Sequence, residues 1–302
     1  MKTLITAENV SKSFGSTQAL KNVSFEITQG QITALVGPNG AGKTTLFSIL
    51  CGYLHPDTGS IRILDQPLGS SQLFGQLSAL PQDAILDPRF SLRKQLSFYG
   101  KLQGLSTKEA DLETSRVLEH VGLADNHNAC IEELSHGMRK RVYIAQALIG
   151  GPSIVLLDEA TAGLDPINAR EIRKLISDLC SETSFILSSH DLAELERLCN
   201  HVLFLDKGIL STHDRDAALS ERKYMTLQLY KDTANPLETL QQLSGVIQVK
   251  QPQAKEFIIE YQPDFEQFDI HLLKYCYQKN LHYRQLINGH TLENQLFEQE
   301  SS

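Results

Sequence analysis

The chain has 302 residues, 41% of them hydrophobic and 21% charged, with a formal net charge of −8. That length accommodates one large and one small domain, and the acidic balance argues against a dominant nucleic-acid surface. No apolar run approaches the roughly 20 residues that cross a bilayer, the opening residues lack the apolar stretch of a secretory signal, and the five scattered cysteines form no C-x-x-C pair and read as reduced thiols.

In chain order, Thr3 to Val10 and Val23 to Ile27 read as strands, the second by its period-two alternation, and Ile32 to Val36 is a short buried strand. Residues 37–45 then read GPNGAGKTT, which fits the G-x-x-x-x-G-K-[ST] phosphate loop. Its glycines allow a tight turn whose successive N–H groups point at one anion. Lys43 would reach the β- and γ-phosphates, and the Thr44 hydroxyl would face Mg²⁺. The helix-like run from Thr44 to Leu50 completes a strand, turn and helix, with the helix N-terminus favouring an anion.

Residues 83–150 read as mainly helical, and Ser106-Thr107-Lys108-Glu109 is a capping-box pattern opening a helix to about Val121. Leu92, Leu96 and Tyr99 share helical spacing and are assigned to the core of this region rather than to a partner surface. A second apolar strand, Ser153 to Leu157, runs into Asp158 and Glu159. A strand ending in two carboxylates can set the first on Mg²⁺ and the second on a water as general base. After a helix-like segment, residues 166–181, a third apolar strand from Ser184 ends near His190. The strand–helix–strand order brings His190 to the same sheet edge as the phosphate loop and Glu159.

Together these segments resemble the ATP-binding subunit of an ABC (ATP-binding cassette) transporter. The resemblance rests on GPNGAGKTT (37–45), ALPQ ending at Gln82, LSHGM (134–138), IVLLDEATAGLD (154–165) and SSH ending at His190. They stand in the family's order, and the match spans roughly residues 1–220. LSHGM marks the family most specifically, because other P-loop NTPases lack it. The form LS-x-G-M-R-x-R resembles exporter ATPases of the drug, polysaccharide and gliding-motility type.

The resemblance implies an α/β fold: a RecA-like P-loop NTPase core with an antiparallel β subdomain and a helical subdomain over about 83–150. It implies a head-to-tail homodimer holding two ATP molecules between the subunits. Gly37, Pro38, Asn39, Gly40, Ala41, Gly42, Lys43, Thr44 and Thr45 would hold one ATP, with Mg²⁺ on Thr44, Gln82 and Asp158. Ser135 and Gly137 of the other subunit would close over the γ-phosphate, and Asp165 would link the two sites. Glu159, His190, Gln82 and Lys43 would carry hydrolysis, and Phe14 would lie against the adenine. A separate integral membrane permease would dock near Gln82 and the segment from Ala84 to Tyr99, which places the chain in the cytoplasm on the inner face of the membrane. Three departures from the commonest pattern stand out: His136 and Met138 in the signature, Ala160 after Glu159, and Phe14 rather than Tyr. None removes a catalytic atom.

After residue 220 the pattern changes to β-α-β-β-α-β: strand-like Tyr224 to Tyr230, a helix from Pro236 to Leu243, strands Val246 to Lys250 and Glu256 to Tyr261, a helix from Phe268 to Gln278, and a strand from Leu281 to Ile287. This order suggests a small α+β, ferredoxin-like domain over 221–302, followed by a last helix from Thr291 to Glu298. His271, His282 and His290 lack metal-ligand spacing, and the domain reads as a dimerisation or regulatory platform. Two alternatives to an export ATPase stay open at this level: a soluble ABC ATPase of cluster assembly, and a regulatory module that holds ATP without turnover.

Overall fold

The computed structural model describes residues 2–189, 195, 198–214, 223–231 and 235–289. His190 and the helix expected over 291–298 lie outside the described residues. The chain divides into two compact units, Met1–Thr212 and His213–Ser302.

The first unit opens with a long hairpin, β1 (Thr3–Phe14) and β2 (Thr17–Thr28), in which Phe14 pairs with Thr17 across the turn. The sequence reading ended β1 at Val10. The strand continues because Lys12, Ser13 and Phe14 still find partners on β2, through register shifts on either side of Lys12. Such irregularities hide a strand from a period-two reading. The strand β3 (Ile32–Val36) is buried throughout and leads through the phosphate loop into α1 (Lys43–Leu50). Next, β4 (Thr58–Ile63) and β5 (Gln66–Pro67) complete an antiparallel sheet in the order β2-β1-β4-β5. The polar strand β4 was not anticipated. Its outward residues are exposed, and only Ile61 and Ile63 enter the core.

After β6 (Leu77–Leu80) come three helices, α2 (Leu92–Leu102), α3 (Thr107–His120) and α4 (His136–Ala147). Ser91, Ser106 and Ser135 cap them, each accepting from a backbone N–H of the first turn. A cap of this kind contributes about 1 kcal/mol. At Ser106 the capping box is complete, since Glu109 returns a bond to the Ser106 N–H. Leu92 and Leu96 are fully buried.

The remaining elements of this unit are β7 (Ile154–Asp158), α5 (Pro166–Leu179), β8 (Ser184–Ser188), β9 (His201–Asp206) and β10 (Ile209–Asp214). The second sheet has the order β10-β9-β3-β8-β7-β6. Its neighbours from β9 through β6 pair in parallel, so their C-terminal ends share one edge. Parallel strands covered on both faces read as continuous apolar runs, which is why β3, β7 and β8 were legible.

The second unit contains β11 (Lys223–Leu229), α6 (Pro236–Gln241), β12 (Val246–Gln253), β13 (Glu256–Tyr261), α7 (Phe268–Gln278) and β14 (Tyr283–Asn288). Its sheet runs β12-β13-β11-β14, antiparallel throughout. This is the split β-α-β arrangement. Met225, Leu227, Leu229, Phe257 and Ile259 join Leu272 and Cys276 of α7 in its core. Tyr261 stacks on Phe268 with ring centroids 4.0 Å apart.

Candidate active site

The parallel sheet brings the phosphate loop, Asp158 and Glu159 to one edge. Leu35 on β3 and Asp158 on β7 both stand opposite Ser188 on β8. The phosphate loop after β3, and Asp158 and Glu159 at the end of β7, therefore leave the sheet at the same level, on either side of β8. Leu80 on β6 stands opposite Leu157, so the exposed Gln82 follows from that edge as well. An open α/β sheet binds ligands at this place, beyond the carboxyl ends of its strands.

The glycines of the phosphate loop let its backbone pack against neighbouring strands. A Cβ on Gly37 would collide with the carbonyl of Leu205, and Gly42 caps α1 at φ 112° with its Cα facing the Ala19 carbonyl. Pro38, Asn39 and Gly40 are exposed, whereas Ala41 is buried. The first N–H groups of α1 have no intrahelical partner and face the loop. Lys43 Nζ donates to the carbonyls of Gly37 at 2.6 Å and Pro38 at 3.1 Å. Burial lowers the pKa of this ammonium, while the charges of Glu159 and Asp158 oppose the shift. Lys43 thus already lies in the field of both carboxylates.

Thr44 and Asp158 line one cleft of about 130 Å³, together with Ser48, Cys51 and Pro81. A hydroxyl and a carboxylate facing the same space form a hard-oxygen donor set that fits Mg²⁺. The Ser188 hydroxyl donates to Asp158 Oδ1, which orients the carboxylate as an outer-shell partner does. Glu159 follows in the left-handed region at φ 52°. Its N–H is held by the Ser188 carbonyl at 3.1 Å, and its own carbonyl accepts from Ala162 at 3.2 Å. A non-glycine residue in this conformation costs on the order of 1 kcal/mol or more and is typical of functional sites.

The signature segment lies elsewhere in the unit. The helix α4 begins at His136, so the signature forms its first turn. Gly137 resembles a helix breaker, but the Ser135 cap at 3.3 Å to Met138 N holds the turn. Ser135 and His136 are exposed, and Gly137 is buried against Asn168 on α5. Asp165 caps α5 with bonds from Ile167 N at 3.0 Å and Asn168 N at 3.1 Å. The Asn168 side chain adds a third bond at 2.5 Å and is the main cause of the lowered Asp165 pKa. The signature and Asp165 are thus brought together. Among the described residues, Ser135 and Gly137 make no hydrogen bond to the phosphate loop. Phe14 sits at the hairpin tip, half exposed.

Three contributors were missed from sequence. Ser188 stands two residues before His190 in a run already singled out, so its proximity to that residue was the available signal. Lys140 lies inside LSHGMRKR; burial lowers its pKa while the charge of Glu159 opposes the shift. Asn168 carried no signal, because its role depends on packing between α4 and α5.

The ABC transporter family profile matches residues 20–162. The chain is 34% identical over 243 residues to the Nod factor export ATP-binding protein I of Cupriavidus metallidurans, covering 78% of this chain and 80% of that protein. It is 31% identical over 285 residues to the ABC transporter ATP-binding protein YxlF of Bacillus subtilis, covering 92% of each, so this likeness extends into the C-terminal unit. Among solved structures, CbiO1 of Clostridium perfringens, part of an ABC transporter complex, superposes with a TM-score of 0.65 at 28% identity, covering 73% of this chain and 92% of that one. With the phosphate loop, the paired carboxylates and the signature turn in place, the chain belongs to the ABC transporter family as an ATP-binding, ATP-hydrolysing subunit.

Proposed function

We propose that this ATPase powers export through a separate membrane permease, working as a head-to-tail homodimer on the cytoplasmic face of the membrane. The observation that carries the catalytic reading is the meeting of the phosphate loop, Asp158 and Glu159 at one sheet edge. Lys43 exchanges its two loop carbonyls for the β- and γ-phosphate oxygens. The N–H groups from Gly40 to Thr45 hold the same phosphates. Thr44, Asp158 and Gln82 are the residues that would hold Mg²⁺, which neutralises charge on the phosphates.

Glu159 accepts a proton from the attacking water as its oxygen bonds to the γ-phosphorus. The bond to the β–γ bridging oxygen breaks, and ADP leaves. His190, by family resemblance, contacts the γ-phosphate. Ser135 and Gly137 of the second subunit complete the site from the N-terminus of α4, where the helix dipole suits an anion. Two separate anion-seeking helix starts in one chain, α1 and α4, support the head-to-tail arrangement. Asp165 next to the signature supports its place between the two sites.

Export is supported by the likeness to the Nod factor export ATP-binding protein, which favours transport over the cluster-assembly and regulatory alternatives. No helix among the described residues is long and apolar enough to cross a membrane, in keeping with a permease on another chain. A groove of about 560 Å³ lined by Ile85, Phe90, Phe98 and Tyr99 is the docking place for that permease. The assignment of Leu92 and Leu96 to the core agrees with their burial, while Tyr99 lines the groove. The C-terminal unit serves as the dimerisation or regulatory platform.

The test is affinity purification from detergent-solubilised membranes, with Glu159→Gln as bait and ATP present. The variant should bind ATP, lose turnover, trap the dimer and recover a polytopic membrane protein. Recovery of soluble partners alone would overturn the transport reading, and ATP hydrolysis at the normal rate would overturn the mechanism.

A further inference from the structure

Phe14 stands at the end of a hairpin whose pairing shifts on both sides of Lys12. An irregular two-stranded tip of this kind is poorly fixed by its own ladder. Here it is tied down from outside. Asp57, just before β4, accepts from Lys12 Nζ at 2.7 Å and from Ser13 N at 2.7 Å, one bond to each carboxylate oxygen. Its own N–H donates to the Ser11 carbonyl at 2.8 Å. Asp57 thus contacts three consecutive residues leading to Phe14. Lys12 is mostly covered, at 17% side-chain exposure, and its ammonium lies 5.8 Å from the centre of the Phe14 ring. A cation within about 6 Å of an aromatic face is attracted to it. Phe14 is still 50% exposed, so it retains open surface for a second planar partner.

We infer that Lys12 and Asp57 are positioning residues for the nucleotide base, holding Phe14 so that one ring face is turned to adenine. This rests on the reading that Phe14 stacks on the base. The carboxylate sets the backbone at Ser13, and the ammonium it holds packs against the ring. Neither group touches the phosphates. Removing either loosens the stack and leaves the phosphate loop as it was.

Calorimetric titration of the full chain with MgATP and, separately, with Mg²⁺ tripolyphosphate tests this, because tripolyphosphate has no base. Asp57→Asn and Lys12→Met should each weaken MgATP about fivefold to tenfold, in the range of one aromatic stack, with tripolyphosphate affinity unchanged. Lys12→Arg should retain the wild-type value. Phe14→Ala should weaken MgATP at least as much, and adding Asp57→Asn to it should cost nothing further. If Phe14→Ala weakens MgATP and Asp57→Asn does not, the positioning role fails and the stacking reading stands. If Phe14→Ala has no effect, the stacking reading itself fails. Equal losses for MgATP and tripolyphosphate in Asp57→Asn would overturn the inference in favour of general loosening of the fold.

Discussion

The side-chain amide of Asn168 lies directly against the Cα of Gly137, leaving no room for a Cβ. The same amide donates to Asp165 at 2.5 Å. One side chain therefore joins the first turn of the signature helix to the cap of the next helix.

Gly137→Ala should destabilise the first unit although alanine is the better helix former. Overpacking of this kind costs about 1–3 kcal/mol. Thermal unfolding should show a lowered Tm for Gly137→Ala, largely restored in the double variant with Asn168→Ala. A Tm equal to wild type for the single variant would remove the steric role of Asn168.

Ser188→Ala removes the hydroxyl that orients Asp158. A hydrogen bond to a charged group is worth about 1.5–3 kcal/mol. The Mg²⁺ concentration giving half-maximal ATPase activity should rise about tenfold, since about 1.4 kcal/mol corresponds to a factor of ten. ATP binding without Mg²⁺ should stay the same. A Mg²⁺ titration of ATPase activity checks this, and an unchanged midpoint would leave Ser188 without a role at the metal.

Cys51 shares the cleft with Thr44 and Asp158. Burial pushes its thiol from 9.0 up to about 11, so the reactive thiolate appears only as the pH rises toward that value. Iodoacetamide labelling followed by mass spectrometry should be slow at neutral pH and climb about tenfold per unit of pH through the alkaline range. A rate that levels off near pH 9 would show a solvent-like thiol.

Ile85 and Phe98 are 79% and 56% exposed in the groove assigned to the permease. Phe98→Asp should leave the fold intact, because surface substitutions of this kind change stability by roughly 0.5 kcal/mol or less. Recovery of the membrane partner with the Glu159→Gln bait should fall severalfold. Undiminished recovery would move the docking place elsewhere.

The nucleotide half of the site was legible because phosphate recognition is local. Consecutive N–H groups, Lys43 and Thr44 come from one short stretch, and the strands that carry Asp158 and Ser188 are continuous apolar runs. The Ser106 capping box and the helix from Phe268 to Gln278 were equally local and stand where expected. The strand β4 and the continuation of β1 to Phe14 were not legible, since both depend on partners supplied by other segments.

The amino-acid sequence by itself determined the family, the phosphate loop and the pair of carboxylates, because each is written in contiguous residues whose chemistry survives without neighbours. Only the tertiary structure decided the start of α4 at His136, the contact of Asn168 with Gly137, the hold of Ser188 on Asp158, and the clamp of Asp57 on Lys12 from 45 residues away. Those are side-chain contacts between distant segments. Their geometry is set by sheet register and helix packing, which residue spacing along the chain does not encode.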